Sequence, residues 1–175
     1  YLSFGGSILS QCPKCSLTLT NPLPNPRHSA LEPGFIGPLY TLLKEYPRVQ
    51  WLRHGRKEAV LDIGCGQGYF LANAKKFGWK TTGIDPYASR TLSSVRKDIY
   101  VSFTSTKSQD KTFDLITFWE SLEHMPNPLT VLQRVRKLLK PKGTLLIEIP
   151  NLGSLEAKVF GKYWFHLAPT HHTTH

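Results

Sequence analysis

The sequence is poor in cysteine, in acidic side chains and in long apolar runs. Three cysteines in 175 residues do not make the disulfide framework that stabilises small secreted domains, so a reducing, cytoplasmic setting is predicted. No apolar run approaches the ~20 residues that a membrane-spanning helix needs, and no secretory signal pattern is visible. The chain begins at Tyr1 rather than at methionine, so we expect its natural start to lie upstream.

The shortage of acidic residues gives the chain a formal charge of +10, from 22 Lys and Arg against 12 Asp and Glu. Such an excess suggests acidic partners, nucleic acid among them. The basic residues are, however, scattered along the chain without interleaved aromatic residues, which is the pattern of an ordinary solvated surface. We therefore favour a solvated surface and keep nucleic acid as an alternative partner. Nothing in the pattern predicts an oligomeric state.

The most informative stretch is a short apolar segment that runs into three glycines at alternate positions, residues 60–68. One acid, Asp62, stands within the apolar part, and a helical pattern follows with Phe70, Leu71 and Ala74 on one face. A strand, a glycine turn and a helix in this order open a βαβ nucleotide-binding unit. Glycines let the backbone turn sharply and approach a ligand closely, and the helix N-terminus offers free N–H groups to that ligand.

The spacing of the glycines narrows the class of ligand. A dinucleotide site would have its third glycine at position 69, which is Tyr69, whereas the third glycine is Gly68. The pattern Asp-x-Gly-x-Gly-x-Gly resembles motif I of the class I S-adenosylmethionine (SAM)-dependent methyltransferases. The resemblance implies that Asp62 helps to hold the amino group of SAM. It also implies a turn under the methionine part of SAM, formed by Gly64, Cys65, Gly66 and Gly68. On this motif alone, a structural turn in another α/β protein stays open.

Further strands and helices alternate after the glycine turn. Strands are predicted at 59–63, 80–84, 99–103, 113–119 and 144–149. Asp85 follows the second strand, 17 residues after Gly68, close to where a βαβ unit places the acid that accepts hydrogen bonds from ribose hydroxyls. We expect Asp85 and Pro86 to contact the cofactor, with an ordinary surface turn as the alternative. The family often places an acid after the third strand, against adenine. Residues 102–105 contain none, so a hydroxyl or backbone group would serve.

The fourth predicted strand runs into the turn Glu-Ser-Leu-Glu-His-Met-Pro-Asn-Pro, residues 120–128. This turn, the preceding Phe-Asp-Leu-Ile and the following Leu-Lys-Pro-x-Gly-x-Leu-Leu-Ile are similar to the later class I motifs, so the resemblance covers residues 59–151. The Glu-x-x-Glu-His turn is similar to that of the ubiquinone-biosynthesis O-methyltransferases and their relatives. The resemblance implies a Rossmann-like α/β fold with a mostly parallel sheet. It also implies transfer of a methyl group from SAM to a small-molecule acceptor, on oxygen rather than on nitrogen or carbon.

Methyl transfer from a sulfonium is an in-line displacement, so the protein mainly positions two reactants. A hydroxyl acceptor must also lose its proton to a base with a pKa near the working pH. His124 is the predicted base. Glu120 and Glu123 are predicted to orient it or to hold a divalent ion with it, and the alternative is that these side chains cap backbone groups. Trp119 is predicted to line the cofactor pocket, and the Cys65 side chain to pack rather than to react.

We divide the chain into an irregular tail at 1–30, a helical cap at 31–57 and the SAM-binding core at 58–175. The tail carries Cys12-Pro13-Lys14-Cys15, half of a zinc knuckle. A structural zinc site needs four ligands, and His28 is one further candidate, so a turn without metal is the alternative. The cap resembles the helices that cover the cofactor in class I methyltransferases.

The C-terminal end departs from the family pattern. It is rich in histidine, a composition found in metal-binding tracts, and it leaves no room for the last two strands of a seven-stranded methyltransferase sheet. We therefore interpret the chain as a fragment of a longer enzyme. Two other functions stay open: an RNA or protein methyltransferase, which the positive charge favours, and a SAM-binding module without activity. Fold alone does not separate these functions.

Overall fold

The computed structural model describes residues 2–4, 7–15, 17–21, 37–53, 58–87, 92–103, 110–164, 166–167 and 172–174. Some predictions concern residues outside these ranges. They are the proposed zinc ligand His28, the first residues of the helical cap, and residues 104–105 of the expected adenine contact. No helix among the described residues combines the length and the apolar character needed to cross a bilayer.

The centre of the fold is a five-stranded parallel sheet. Its strands are β4 (Ala59–Ile63), β5 (Lys80–Ile84), β6 (Ile99–Tyr100), β7 (Phe113–Trp119) and β8 (Leu139–Glu148), and their order is β6-β5-β4-β7-β8. The two central strands, β4 and β7, are buried along nearly their whole length, as continuous apolar runs in parallel sheets require. The predicted α/β fold with a parallel sheet is confirmed.

The chain winds outward in both directions from β4. Strands β5 and β6 lie on one side of it, and β7 and β8 lie on the other. The order therefore reverses between β4 and β7. In open α/β sheets, ligands bind at such a reversal, outside the carboxyl ends of the strands. The glycine turn follows β4 and the Glu-x-x-Glu-His turn follows β7, so both predicted site segments lie at this edge.

Helices cover both faces of the sheet. Side chains alternate between the faces of a strand, so Val60 and Leu115 belong to one buried cluster, whereas Leu61 and Ile116 belong to the other. The helices are α1 (Gly37–Arg53), α2 (Tyr69–Lys76), α3 (Pro128–Leu138) and α4 (Leu155–Phe160). Asn127 caps the start of helix α3, because its side chain accepts a hydrogen bond from the backbone N–H of Thr130 at 3.1 Å. Helix α1 continues through Pro47, although proline lacks the backbone N–H that a helix interior uses.

Several predicted boundaries differ from the structure. The third strand ends at Tyr100 rather than at 103, and the described residues before it, 92–98, form turns and a short 3-10 helix rather than an α-helix. Strand β8 begins at Leu139 instead of Thr144, with a shift of register against β7. Gly143 permits this irregular start, since a Cβ there would lie 3.0 Å from the carbonyl oxygen of Phe113.

The prediction of an irregular N-terminal tail is wrong for its described residues. They form an antiparallel sheet of β1 (Leu2–Phe4), β2 (Ser7–Gln11) and β3 (Thr18–Asn21). Strand β3 also meets the C-terminal segment, because the backbone N–H of Thr20 donates to the carbonyl oxygen of Thr173 at 3.2 Å. Strand β3 and the described residues 172–174 therefore lie against each other.

Candidate functional site

The glycine turn after β4 adopts backbone conformations that other residues avoid. Gly64, Gly66 and Gly68 have φ angles of +76°, +51° and +85°, in the left-handed region that glycine enters without strain. A Cβ on Gly64 would lie 2.3 Å from Cβ of Ser121, whereas a Cβ on Gly66 would meet nothing within 4 Å. The turn is thus packed on the Gly64 side and open on the Gly66 side. The open side leaves bare backbone next to space that a ligand could occupy.

Asp85 lies directly against this turn. One of its carboxylate oxygens accepts a hydrogen bond from the backbone N–H of Gly66 at 2.8 Å, and the other accepts from the N–H of Tyr87 at 2.7 Å. The predicted ribose-binding acid and the predicted methionine-binding turn are therefore adjacent, at the carboxyl ends of neighbouring strands. Pro86 follows in the exposed turn after β5.

Asp62 is a buried acid whose charge is costly. The residue is 2% exposed, and burial raises the pKa of its carboxyl group to about 7, although a 2.8 Å hydrogen bond from the Thr117 hydroxyl opposes this shift. Glu45 raises this pKa further, and Arg48 lowers it. Near neutral pH the carboxyl group is therefore poised between its two protonation states, and a cation beside it would favour ionisation.

The Cys65 side chain packs within the turn, as the sequence predicts. Its Sγ would lie 2.7 Å from a Cβ on Gly83, so the thiol fills the space that this glycine leaves. Burial raises the pKa of the thiol far above its usual value, and the nearby Asp62 adds to the shift. The reactive thiolate is thus not the form present at neutral pH.

Arg48 of helix α1 reaches the same edge of the sheet, and sequence reasoning did not predict it. The residue is 6% exposed, and its guanidinium carbon lies 5.0 Å from the ring centroid of Trp119. It forms ion pairs with Glu148 at the end of β8, with Glu45 at 3.0 Å and with Glu120 at 3.7 Å. The one sign of such a role in the sequence is a basic residue among the leucine and aromatic residues of the predicted cap.

Trp119 ends β7, the strand that pairs with β4 ahead of the glycine turn. Its ring meets Phe70 of helix α2 edge-on, with 5.2 Å between the ring centroids. Trp119 also lines a cavity of about 790 Å³, together with Trp51, Glu148 and Asn151. This volume lies in the range of small-molecule sites. The cavity is therefore a candidate site for a methyl acceptor, beside the predicted cofactor site.

The Glu-x-x-Glu-His turn divides into two groups of side chains. Glu120 has a φ of +51° and directs its carboxylate toward Arg48 and toward His166, whose Nδ1 is 3.4 Å away. Glu123, 2% exposed, and the half-buried His124 lie instead beside His172. Within the described part of the chain, these three residues form the one group of at least three candidate metal ligands. The predicted set of Glu120, Glu123 and His124 is not that group.

Cys12 and Cys15 lie in the turn between β2 and β3. The backbone N–H of Cys12 donates to the carbonyl oxygen of Leu17 at 2.8 Å and closes this turn. Backbone hydrogen bonds from Cys15 and Lys14 lower the pKa of the Cys12 thiol, which favours the thiolate that a metal needs. The turn supplies two ligands, so zinc binding here stays a prediction.

Comparison with known proteins is consistent with this geometry. A family model described as a methyltransferase domain matches residues 39–175. The ubiquinone biosynthesis O-methyltransferase of Actinobacillus pleuropneumoniae serotype 7 is 35% identical over 107 residues, which cover 53% of this chain and 45% of that protein. The protein of the same name from Colwellia psychrerythraea is 30% identical over 102 residues, covering 53% and 42%. The matched part of the chain thus spans less than half the length of these relatives.

Solved structures share the fold. A SAM-dependent methyltransferase from Archaeoglobus fulgidus is similar with a TM-score of 0.59 and 27% identity, over 75% of this chain and 60% of that one. A protein from Pyrococcus horikoshii matches with a TM-score of 0.54 and 24% identity, over 69% and 58%. The family model covers well over half of the sequence, and its match includes the glycine turn, Asp85 and the turn after β7. The chain belongs to the methyltransferase domain family.

Proposed function

We propose that the chain transfers a methyl group from SAM to a hydroxyl group of a small-molecule acceptor. The observation that carries this proposal is the contact between Asp85 and the glycine turn, at 2.8 Å. It brings a carboxylate and bare glycine backbone together at the carboxyl ends of β4 and β5, next to the point where the strand order reverses. The relatives named as ubiquinone biosynthesis O-methyltransferases support oxygen as the methylated atom.

In this proposal each side chain at the edge has one task toward the cofactor. Asp85 accepts hydrogen bonds from the ribose hydroxyls. The methionine part lies against the backbone of the glycine turn, formed by Gly64, Cys65, Gly66 and Gly68. Asp62 balances the charge of the amino group, and Trp119 forms a wall toward the acceptor cavity. SAM supplies the electrophilic methyl group, and the residues named here bind and orient it.

The acceptor would enter the cavity beside Trp119. During transfer the bond between the methyl carbon and sulfur breaks, a carbon–oxygen bond forms, and the hydroxyl proton leaves the acceptor. We propose that the His124 imidazole receives this proton, with Glu123 next to it orienting the ring. Glu120 helps to hold the turn after β7 in place through its ion pair with Arg48.

Calorimetric titration with SAM, S-adenosylhomocysteine and NAD tests the cofactor assignment. We expect micromolar binding of the first two and no binding of NAD. Asp85→Asn should weaken SAM binding at least tenfold, since it removes a charged acceptor and places an amide NH₂ against a backbone N–H. The matched control is Asp110→Asn, on a surface acid 3.6 Å from Arg134, which should bind SAM like the wild type. Equal affinity of wild type and Asp85→Asn would refute the ribose assignment.

The role of His124 needs a separate measurement. His124→Ala should leave SAM affinity unchanged and reduce turnover at least a hundredfold, as loss of a general base does. A parallel loss of cofactor affinity would contradict the assignment. The assay would use labelled SAM and a panel of phenols and other hydroxyl compounds. A cytoplasmic location of the protein is part of the same proposal.

The formal charge of +10 supports a second candidate function, methylation of RNA or protein. Labelled SAM incubated with total RNA and with protein would detect it. RNA binding should then weaken steeply as salt rises, because phosphate contacts release counterions. SAM binding without transfer to any acceptor would instead indicate a binding module.

A further inference from the structure

A second cluster of ligating side chains joins the turn after β7 to the C-terminal segment 172–174. One ligand atom each of Glu123, His124 and His172 lie within 4.8 Å of one another. Glu123 and His172 are buried, at 2% and 7% exposure. The three residues come from chain segments that are 48 residues apart, so no sequence motif contains them together.

The backbone fixes the relative position of the two segments. Thr173 donates from its N–H and from its hydroxyl to the carbonyl oxygen of Glu123, each at 2.7 Å. The same hydroxyl lies 3.0 Å from the carbonyl oxygen of Met125. The rings of His124 and His172 stand edge-to-face, with centroids 4.7 Å apart. The cluster is therefore held by hydrogen bonds between the segments and not by its own side chains alone.

We propose that Glu123, His124 and His172 bind a divalent transition-metal ion, with zinc as the best match. Two imidazoles and one carboxylate are the ligands of zinc and its neighbours, whereas magnesium and calcium prefer oxygen ligands throughout. Metal–ligand bonds of about 2.0–2.2 Å place tetrahedral ligands roughly 3.4 Å apart. Small side-chain rotations would be enough to bring atoms that now lie within 4.8 Å of one another to that spacing. A fourth position stays open to water or to an acceptor oxygen. A His124 imidazole that coordinates the ion could not also receive the acceptor proton, so metal binding and the role of His124 as the base are alternatives.

Glu120 is not part of this site. Its carboxylate is engaged with Arg48 and His166, so the structure replaces it with His172. The two ligand sets make opposite predictions for two variants. His172→Gln should weaken metal binding at least tenfold and Glu120→Gln should preserve it, whereas the Glu-x-x-Glu-His set predicts the reverse. His166→Gln is the matched control, because it removes another histidine of the same C-terminal part of the chain.

The experiment is a titration of the chelator-treated full chain with Co²⁺, followed by displacement with Zn²⁺. The visible absorption of Co²⁺ reports tetrahedral coordination, and this readout does not depend on methyl transfer. All proteins carry Cys12→Ser and Cys15→Ser, so that thiolates do not contribute. We expect one ion per chain, at least a tenfold weaker affinity in His172→Gln, and unchanged affinity in Glu120→Gln and His166→Gln.

His172 is buried, so its variant also needs a test of folding. Circular dichroism of each metal-free variant provides it, and His124→Gln, at a half-exposed position, supplies a second variant that should lose the ion. Absence of Co²⁺ binding by the chain, wild-type affinity in a folded His172→Gln or in His124→Gln, or loss of binding in Glu120→Gln would each overturn the proposal.

Discussion

The buried acid Asp62 makes SAM binding dependent on pH in a predictable direction. Its carboxyl group has a pKa of about 7 because burial disfavours the charged form. The proposed partner, the amino group of SAM, is a cation that pairs with the ionised form. About a tenth of the Asp62 carboxyl groups are ionised at about pH 6 and about nine tenths at about pH 8. The dissociation constant for SAM should therefore be about tenfold larger at the lower pH.

The assay is calorimetry across this range on the wild type and on Asp62→Asn. The variant should bind SAM weakly and without the dependence that comes from Asp62. Thr117→Val removes the 2.8 Å hydrogen bond to the carboxylate. That loss should move the midpoint upward by about one pH unit, since a hydrogen bond to a charged group contributes ~1.5 kcal/mol or more.

The free energy of unfolding without SAM should fall as the pH rises, whereas the affinity for SAM should increase. These opposite signs distinguish ionisation of Asp62 from a general loss of folding. The folded state holds the Asp62 proton up to a pKa of about 7, whereas the unfolded chain loses it near 3.8. This contribution to the free energy of unfolding is therefore complete below about pH 3.8 and is lost as the pH rises through 7. Equal pH dependence of SAM affinity in the wild type and in Asp62→Asn would refute the reasoning.

Two further predictions concern the packing around the site. Gly64→Ala should abolish SAM binding and destabilise the fold more than Gly66→Ala, because both have positive φ but only the first brings its Cβ to 2.3 Å from Ser121. The matched alanine at Gly66 should cost only the ~1–2 kcal/mol of left-handed strain, and urea unfolding of the two variants compares them. Arg48→Met should lower the free energy of unfolding by about 3 kcal/mol, because it leaves carboxylates without their buried guanidinium. Arg48→Lys keeps the charge but not the forked geometry toward Glu148. If this variant had the wild-type free energy of unfolding, the charge alone would account for the stabilisation.

The fold was predictable because the relevant signals are local. Val60 to Ile63 form a strand that is apolar apart from Asp62, the glycines permit positive φ, and Asn127 with Pro128 starts a helix. Each signal acts over a few residues, so composition and spacing were sufficient. The side chain of Asn127 caps helix α3 as these rules require.

The missed parts of the site depend on contacts between distant residues. Arg48 pairs with Glu148, 100 positions along the chain, and Thr173 bonds to Glu123, 50 positions away. No periodicity in the sequence reports such pairs. The N-terminal strands were missed for a different reason. They are three to five residues long, and so short a run gives a weak alternating pattern.

The turns after β4 and β7 are one packed unit, and this couples the proposed cofactor site to the proposed acceptor chemistry. The Ser121 hydroxyl donates to the carbonyl oxygen of Ile63 at 2.6 Å, at the point where the glycine turn begins. The backbone carbonyl of Ser121 in turn accepts from the N–H of His124 at 3.2 Å. The absence of a side chain on Gly64 is what permits this approach. We therefore expect a displacement of the glycine turn to move the backbone that carries His124. In the proposed reaction, binding of SAM to the first turn would position the imidazole in the second.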